Sequence, residues 1–163
     1  MDWTQRMKFE DFVCFKATIP ELQSADRDGI IAELVSALVQ AGKLPSASEA
    51  EITKAVIKRE NEASTGMGKG VAVPHVKHPV VDDVLAAIGQ SDTGIDFSSL
   101  DEQPVYSVIL LISPPDNPDR HLRAMENLFK HLQKEKFRKF LRQCQTPEAF
   151  EDLLKEADDN PSW

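Results

Sequence analysis

The chain has 163 residues, 41% of them hydrophobic and 28% charged, with 19 Lys and Arg against 27 Asp and Glu for a formal charge of −8. These values describe a single globular domain long enough to bury a core. The acidic balance argues against general affinity for nucleic acid or an anionic membrane.

The opening residues Met1-Asp2-Trp3-Thr4-Gln5 carry no secretory h-region. No apolar run approaches the length of a membrane span. Cys14 and Cys144 lack metal or redox spacing and read as small packing residues, so a reduced, cytoplasmic setting is expected. Phe12 to Phe15 reads as a short β-type entry. A helix follows from about Asp26 to Ala41, with Ile30, Ile31, Leu34 and Leu38 on one stripe; Gly42 stops it and Pro45 blocks continuation. Ser48 and Glu51 fit a capping box opening a second helix. Its Ile52 and Val56 define an inner face that three or four further residues extend to Arg59 and Glu60.

Strands are predicted at Val71 to Val73, Val84 to Ser91 and Val105 to Ser113, the last closed by Pro114-Pro115. Asn117 as N-cap with Pro118 behind it starts a helix whose core stripe is Met125, Leu128, Phe129 and Leu132. Thr146-Pro147 repeats the device for a last helix with Phe150, Leu153 and Leu154 inside, and Ala157 to Trp163 reads as a frayed tail. Helices at both ends of a strand-rich middle predict one α/β domain around a small mixed β-sheet flanked by helices.

The chemistry concentrates between Ser64 and Lys77. Gly66, Gly68 and Gly70 let backbone N–H groups converge on an anion. The Val71-Ala72-Val73 segment then stops at Pro74, and His75 stands next, placed to accept a phosphoryl group as a nucleophile. A neutral imidazole is required for that attack, and an unperturbed pKa of about 6.5 leaves it largely neutral near pH 7. His121, at the fourth position of the Asn117-capped helix, reads either as a hydrogen-bonded structural histidine or as a donor to the same phosphate. Arg59 is expected to turn its guanidinium inward to an anion, with Glu60 either holding it or simply solvated. Ser64 and Thr65 read either as hydroxyl donors to the phosphate or as turn residues after the helix. His78 and His131 read as surface residues. The spacing from His75 to His78 does not make a metal clamp, and neither Walker A nor G-x-G-x-x-G spacing is present.

The segment Arg59-Glu60, Ser64-Thr65-Gly66-x-Gly68-x-Gly70-Val71-Ala72-Val73-Pro74-His75, with Asp101-x-Gln103-Pro104-Val105 and His121-Leu122-Arg123-Ala124 downstream, resembles the fructose/mannitol-type IIA component of the phosphotransferase system, nitrogen-regulatory relatives included. The likeness runs from about residue 11 to about residue 156. It implies that His75 accepts phosphate from a phosphohistidine on a small HPr-like carrier protein and passes it to a IIB component, with His121 and Arg59 matching the second histidine and the active-site arginine. It implies no metal and no organic cofactor. The sequence departs from the usual pattern at Ala63 and Val76, where the family has glycine. The rival expectation is a regulatory module of the same fold that docks on a kinase, transporter or transcription factor. The lack of a fused IIB- or IIC-like segment leans toward the stand-alone regulatory type.

Overall fold

A computed structural model describes residues 6–160. The mixed sheet is organised around a strand, Val105–Ser113, in which every residue but one is buried. In chain order the elements are α1 (Arg27–Gln40), α2 (Glu49–Glu62), β1 (Gly66–Gly68), β2 (Val71–Ala72), β3 (His75–Lys77), β4 (Leu85–Ile95), β5 (Val105–Ser113), α3 (Pro118–Leu132), α4 (Glu135–Gln143) and α5 (Pro147–Asp159). β4 runs antiparallel along one side of β5. On the other side, β2 and β3 lie end to end, both parallel to β5, with β1 outside β2. Pro74 separates the two short strands. It has no N–H for the ladder, but its carbonyl accepts from Leu111 N at 3.0 Å, so the chain continues in register as β3.

Strand alternation sorts the apolar residues into two cores. Val108, Leu110 and Ile112 of β5 pack on α1 and α2; Ile109 and Leu111 pack on α3, α4 and α5. Each fully buried Leu, Ile or Phe of these cores contributes about 1.5–3 kcal/mol of transfer free energy. The same parity carries Val71, Val73 and then His75 to the α3 side, which is what brings a strand residue to a helix residue far along the chain.

The predicted helix starts are realised at three places. Asp26, Asn117 and Thr146 accept from the N–H of Gly29, Arg120 and Ala149. At the end of α1, Gly42 takes φ +77, its N–H reaches Val39 O at 3.0 Å, and Lys43 N reaches Leu38 O at 2.9 Å, a Schellman closure.

Other expectations are corrected. Ser48 caps nothing: a 3-10 turn at Ser46–Ser48 runs directly into α2 and leaves Ser48 in the helical region. Phe12 to Phe15 is no strand. Two 3-10 turns, Phe9–Asp11 and Phe15–Ala17, flank single bridges from Val13 to Ala86 and from Ile19 to Gly89, which cover the free edge of β4. The core stripe of α3 is Ala124, Asn127, Leu128, His131 and Leu132, because Met125 and Phe129 lie on its flank. α4 has no counterpart in the sequence reading; it buries Phe137 and Leu141, one turn apart in an otherwise charged segment. α5 stays helical to Asp159 and buries Ala157 and Asp158. The Asp158 carboxylate accepts from Phe9 N at 2.7 Å and Glu10 N at 3.1 Å, joining the two ends of the chain. The rest of the expected tail, 161–163, and the opening residues 1–5 lie outside the described residues.

Candidate functional site

The glycine-rich segment forms a hairpin, not an open amide loop. β1 and β2 pair antiparallel around Lys69 and Gly70, at φ +59 and +81, as a tight I′-like turn requires. Gly66 is required for space: a Cβ there would lie 2.2 Å from Ser99 Oγ. Two N–H groups of the hairpin already have partners within the protein. Gly66 N donates to Ser64 Oγ at 3.0 Å, and Lys69 N donates to the Asp101 carboxylate at 3.0 Å. Asp101 also accepts from Gln103 N, and both bonds hold its carboxyl below the usual range.

Ser64 and Thr65 anchor the entry to this hairpin. The Ser64 hydroxyl donates to Phe97 O. Thr65 donates both its N–H and its hydroxyl to Glu60, each at 2.6 Å. The reading of α2 is therefore inverted. Glu60, only 2% exposed, is the inward residue, four positions beyond Val56, and it clamps Thr65. Arg59, three positions beyond Val56, sits on the flank and donates to Ala63 O at 3.0 Å, closing its own helix end.

His75 is half-buried at the start of β3. Its Nδ1 lies 2.8 Å from Val73 O. A carbonyl can only accept, so Nδ1 carries the hydrogen and Nε2 presents a bare lone pair. Burial lowers the pKa of His75 most; the Val73 bond opposes that, Arg59 lowers it further, Glu60 raises it and Lys77 lowers it. The ring is held neutral, and Arg59 lies near enough to act on it through its charge.

His121 stands opposite, with ring centres 5.7 Å apart and planes at 45°. Its Nδ1 pairs with Ser113 Oγ at 2.5 Å. Burial lowers its pKa first, followed by the neighbouring His75 and Lys77. Ser113, fully buried at the end of β5, was not singled out in the sequence. Its signal was the strand parity that puts it on the face of Ile109 and Leu111, toward α3. The structure thus brings His75 and His121 together and places Arg59 within electrostatic reach. It ties the Ser64 and Thr65 hydroxyls and the Gly66 N–H into the loop itself, and gives Gly68 a turn-forming φ of +86.

The two departures from the family pattern cost no backbone strain. Ala63 is extended at φ −164, and Val76 pairs with Ile112 in β3 and packs on the α1/α2 core. His78 and His131 are not surface residues. His78 is half-buried, accepts from Val80 N at 3.0 Å and lies 3.6 Å from Glu51; His131 is 1% exposed. Among the described residues no helix is long and apolar enough to cross a membrane.

Sheet, flanking helices and paired neutral imidazoles define an α/β domain built around a histidine pair. The chain belongs to the family "Phosphoenolpyruvate-dependent sugar phosphotransferase system, EIIA 2", whose pattern matches residues 15–157. It is 33% identical over 137 residues to the PTS system fructose-specific EIIABC component of Bacillus subtilis, covering 84% of this chain and 21% of that protein. It is 30% identical over 148 residues to the nitrogen regulatory protein of Bradyrhizobium diazoefficiens, covering 91% of this chain and 95% of the relative. The crystal structure of the nitrogen regulatory protein IIA-Ntr from Neisseria meningitidis superposes with a TM-score of 0.79 over 88% of this chain and 97% of that one. At 22% identity that likeness is one of fold. Membership places the chain among proteins with a phosphocarrier or regulatory role in the phosphotransferase system.

Proposed function

We propose that the chain is a phosphoryl carrier whose His75 Nε2 accepts phosphate from a phosphohistidine on an HPr-like carrier protein. It then passes the group to a IIB component or holds it as a regulatory signal. The observation that carries this reading is the Nδ1 bond from His75 to Val73 O at 2.8 Å, which fixes the ring and leaves Nε2 unprotonated beside His121. In the transfer, the bond from phosphorus to the donor imidazole breaks as the bond to His75 Nε2 forms. The donor ring keeps the electron pair. Ser113 Oγ pairs with His121 Nδ1, and in this reading the hydroxyl donates, so that His121 holds its hydrogen on Nε2 and donates it to a phosphoryl oxygen. Arg59 supplies positive charge, leaving its helix-end carbonyl to reach the dianion. Ser64, Thr65 and Gly66 serve the site by holding the hairpin, since both hydroxyls and the N–H groups of Thr65 and Gly66 are donated within the protein, and Gly68 serves it by forming the turn. The chemistry needs position and charge, with a phosphoimidazole on each side.

The test is phosphorylation of the purified protein with phosphoenolpyruvate, the general first enzyme and the small carrier, read by intact mass. One acid-labile phosphate is expected on the wild type and none on His75→Ala. Full labelling of His75→Ala would identify a different nucleophile. The near full-length match to a nitrogen regulatory protein favours a second reading, a binding module that docks on a regulated kinase or transporter without transferring phosphate. Wild-type protein left unlabelled by any competent carrier would select it.

A further inference from the structure

We propose that Lys77 is a further phosphate-binding residue, its ammonium meeting the phosphoryl group on His75 from the end of β3, an assignment that rests on the phosphoryl-carrier reading.

Side chains alternate across a strand, so His75 and Lys77 share one face of β3 and Val76 takes the other. Val76 packs on the α1/α2 core, which leaves the α3 face to His75 and Lys77. The register brings the matching face of β5 alongside. Lys77 is paired with Ser113 in the parallel ladder, as His75 is with Leu111, and His78 N donates to Ser113 O at 2.9 Å. Ser113 is the residue whose hydroxyl meets His121 Nδ1. Lys77 therefore neighbours the serine that holds one imidazole and lies two residues beyond the other. Paired strands are about 4.8 Å apart, a gap that a flexible four-carbon stem crosses.

The charges acting on the pair agree with this placement. Arg59, Glu60 and Lys77 act on His75, and His75 and Lys77 act on His121. Lys77 is the cation common to both rings, and its sign favours neutral imidazoles before transfer. Its ammonium is also uncommitted: Lys77 is exposed and makes no ion pair among the described residues. Acids on neighbouring segments have other partners. Glu51 faces His78 at 3.6 Å, and Asp83 accepts from Arg120 at 3.0 and 2.8 Å. Arg59, by contrast, has to leave Ala63 O before it reaches the same group. A phosphoryl group places a dianion on a half-buried ring, and a free ammonium on that face offsets it without breaking a bond of the resting protein.

The test uses the full-length protein and two phosphoryl donors, the small carrier and free phosphoramidate, which has no docking surface. With the second donor the phosphorus–nitrogen bond of phosphoramidate breaks as the bond to His75 Nε2 forms, and ammonia leaves. ³¹P NMR then follows the titration of the phosphoryl group in wild type, Lys77→Met and Lys77→Arg. Removing a cation beside a dianion favours its protonation. Lys77→Met should therefore raise the phosphoryl pKa by about half a unit, the scale of one charge pair in water, and slow labelling about threefold with both donors. Lys77→Arg should stay near the wild type. In the wild type itself the ¹⁵Nζ resonance of Lys77 should move on phosphorylation, which reads the contact without any substitution. A labelled wild type with an unmoved Lys77 resonance, or a phosphoryl titration unchanged in Lys77→Met, overturns the role of Lys77 and leaves the carrier reading standing. Slower labelling from the carrier alone makes Lys77 a contact for the partner protein and overturns it too. A wild type that neither donor labels overturns the carrier reading itself, and the role of Lys77 with it.

Discussion

His75 donates its Nδ1–H to Val73 O at 2.8 Å, and His131 donates its Nδ1–H to Asn127 O at 2.9 Å. Both rings are neutral through burial, and both present a bare Nε2. Their surroundings differ. His75 stands half-exposed at a strand start with a second imidazole 5.7 Å away, whereas His131 is 1% exposed between two phenylalanines. A backbone anchor selects the tautomer at both places. Under the proposed transfer, access for a macromolecular donor, with His121 alongside, is what separates the nucleophile from a buried acceptor.

The sharpest way to break this comparison is His75→Ala in the carrier-dependent labelling assay. Complete loss of phosphate is expected, because His131 cannot be approached; phosphate appearing on His131 would erase the distinction. His121→Ala should slow labelling about a hundredfold without abolishing it, the effect of one lost donor at a charged transition state, measured by rapid quench. An unchanged rate would reduce His121 to packing.

Thr65→Val tests whether the clamp beneath His75 is structural. It leaves Glu60 Oε1 buried without a donor and should cost about 1–3 kcal/mol in urea denaturation.

The pH dependence of stability sharpens the buried half of the comparison. The folded pKa values of His75, His121 and His131 all lie below the ordinary value of 6.5. The unfolded chain therefore binds protons more readily. Their contribution is complete above about pH 6.5 and is lost as pH falls through the folded values. His131→Phe removes one of the three, so its melting temperature should fall less than that of the wild type between about pH 7.5 and about pH 5.5. An identical fall would mean that His131 is not held neutral. The smallest effect is expected from Arg59→Gln in the unphosphorylated protein. Removing a charge that lowers the pKa of His75 should move its NMR titration upward, and no movement would place Arg59 out of range.

Much of the fold was legible because its signals are local. Asn117-Pro118 and Thr146-Pro147 start helices by satisfying N–H groups within a few residues, and β5 reads directly as an apolar run. α4 was not legible: two apolar residues among charges carry little periodic signal until α3 and β5 supply a surface for them. The site was legible by residue type more than by orientation. At the end of α2 a continuation by four residues and one by three both looked possible, and packing chose Glu60 for the interior. Three glycines suggested a cradle of free amides; pairing with β2 and the Asp101 carboxylate turned them into a hairpin.

By itself the sequence determined the longer elements other than α4, the histidine at the Pro74 break, and membership in a family whose segment spans Arg59 to His75. Those are properties of short windows, where backbone sterics and capping act over one or two turns. Tertiary structure alone decided that Ser113 meets His121, that Glu60 holds Thr65, and that His131 is enclosed between Phe9 and Phe137. Each is a contact set by sheet register and helix packing, which join residues that no local spacing relates.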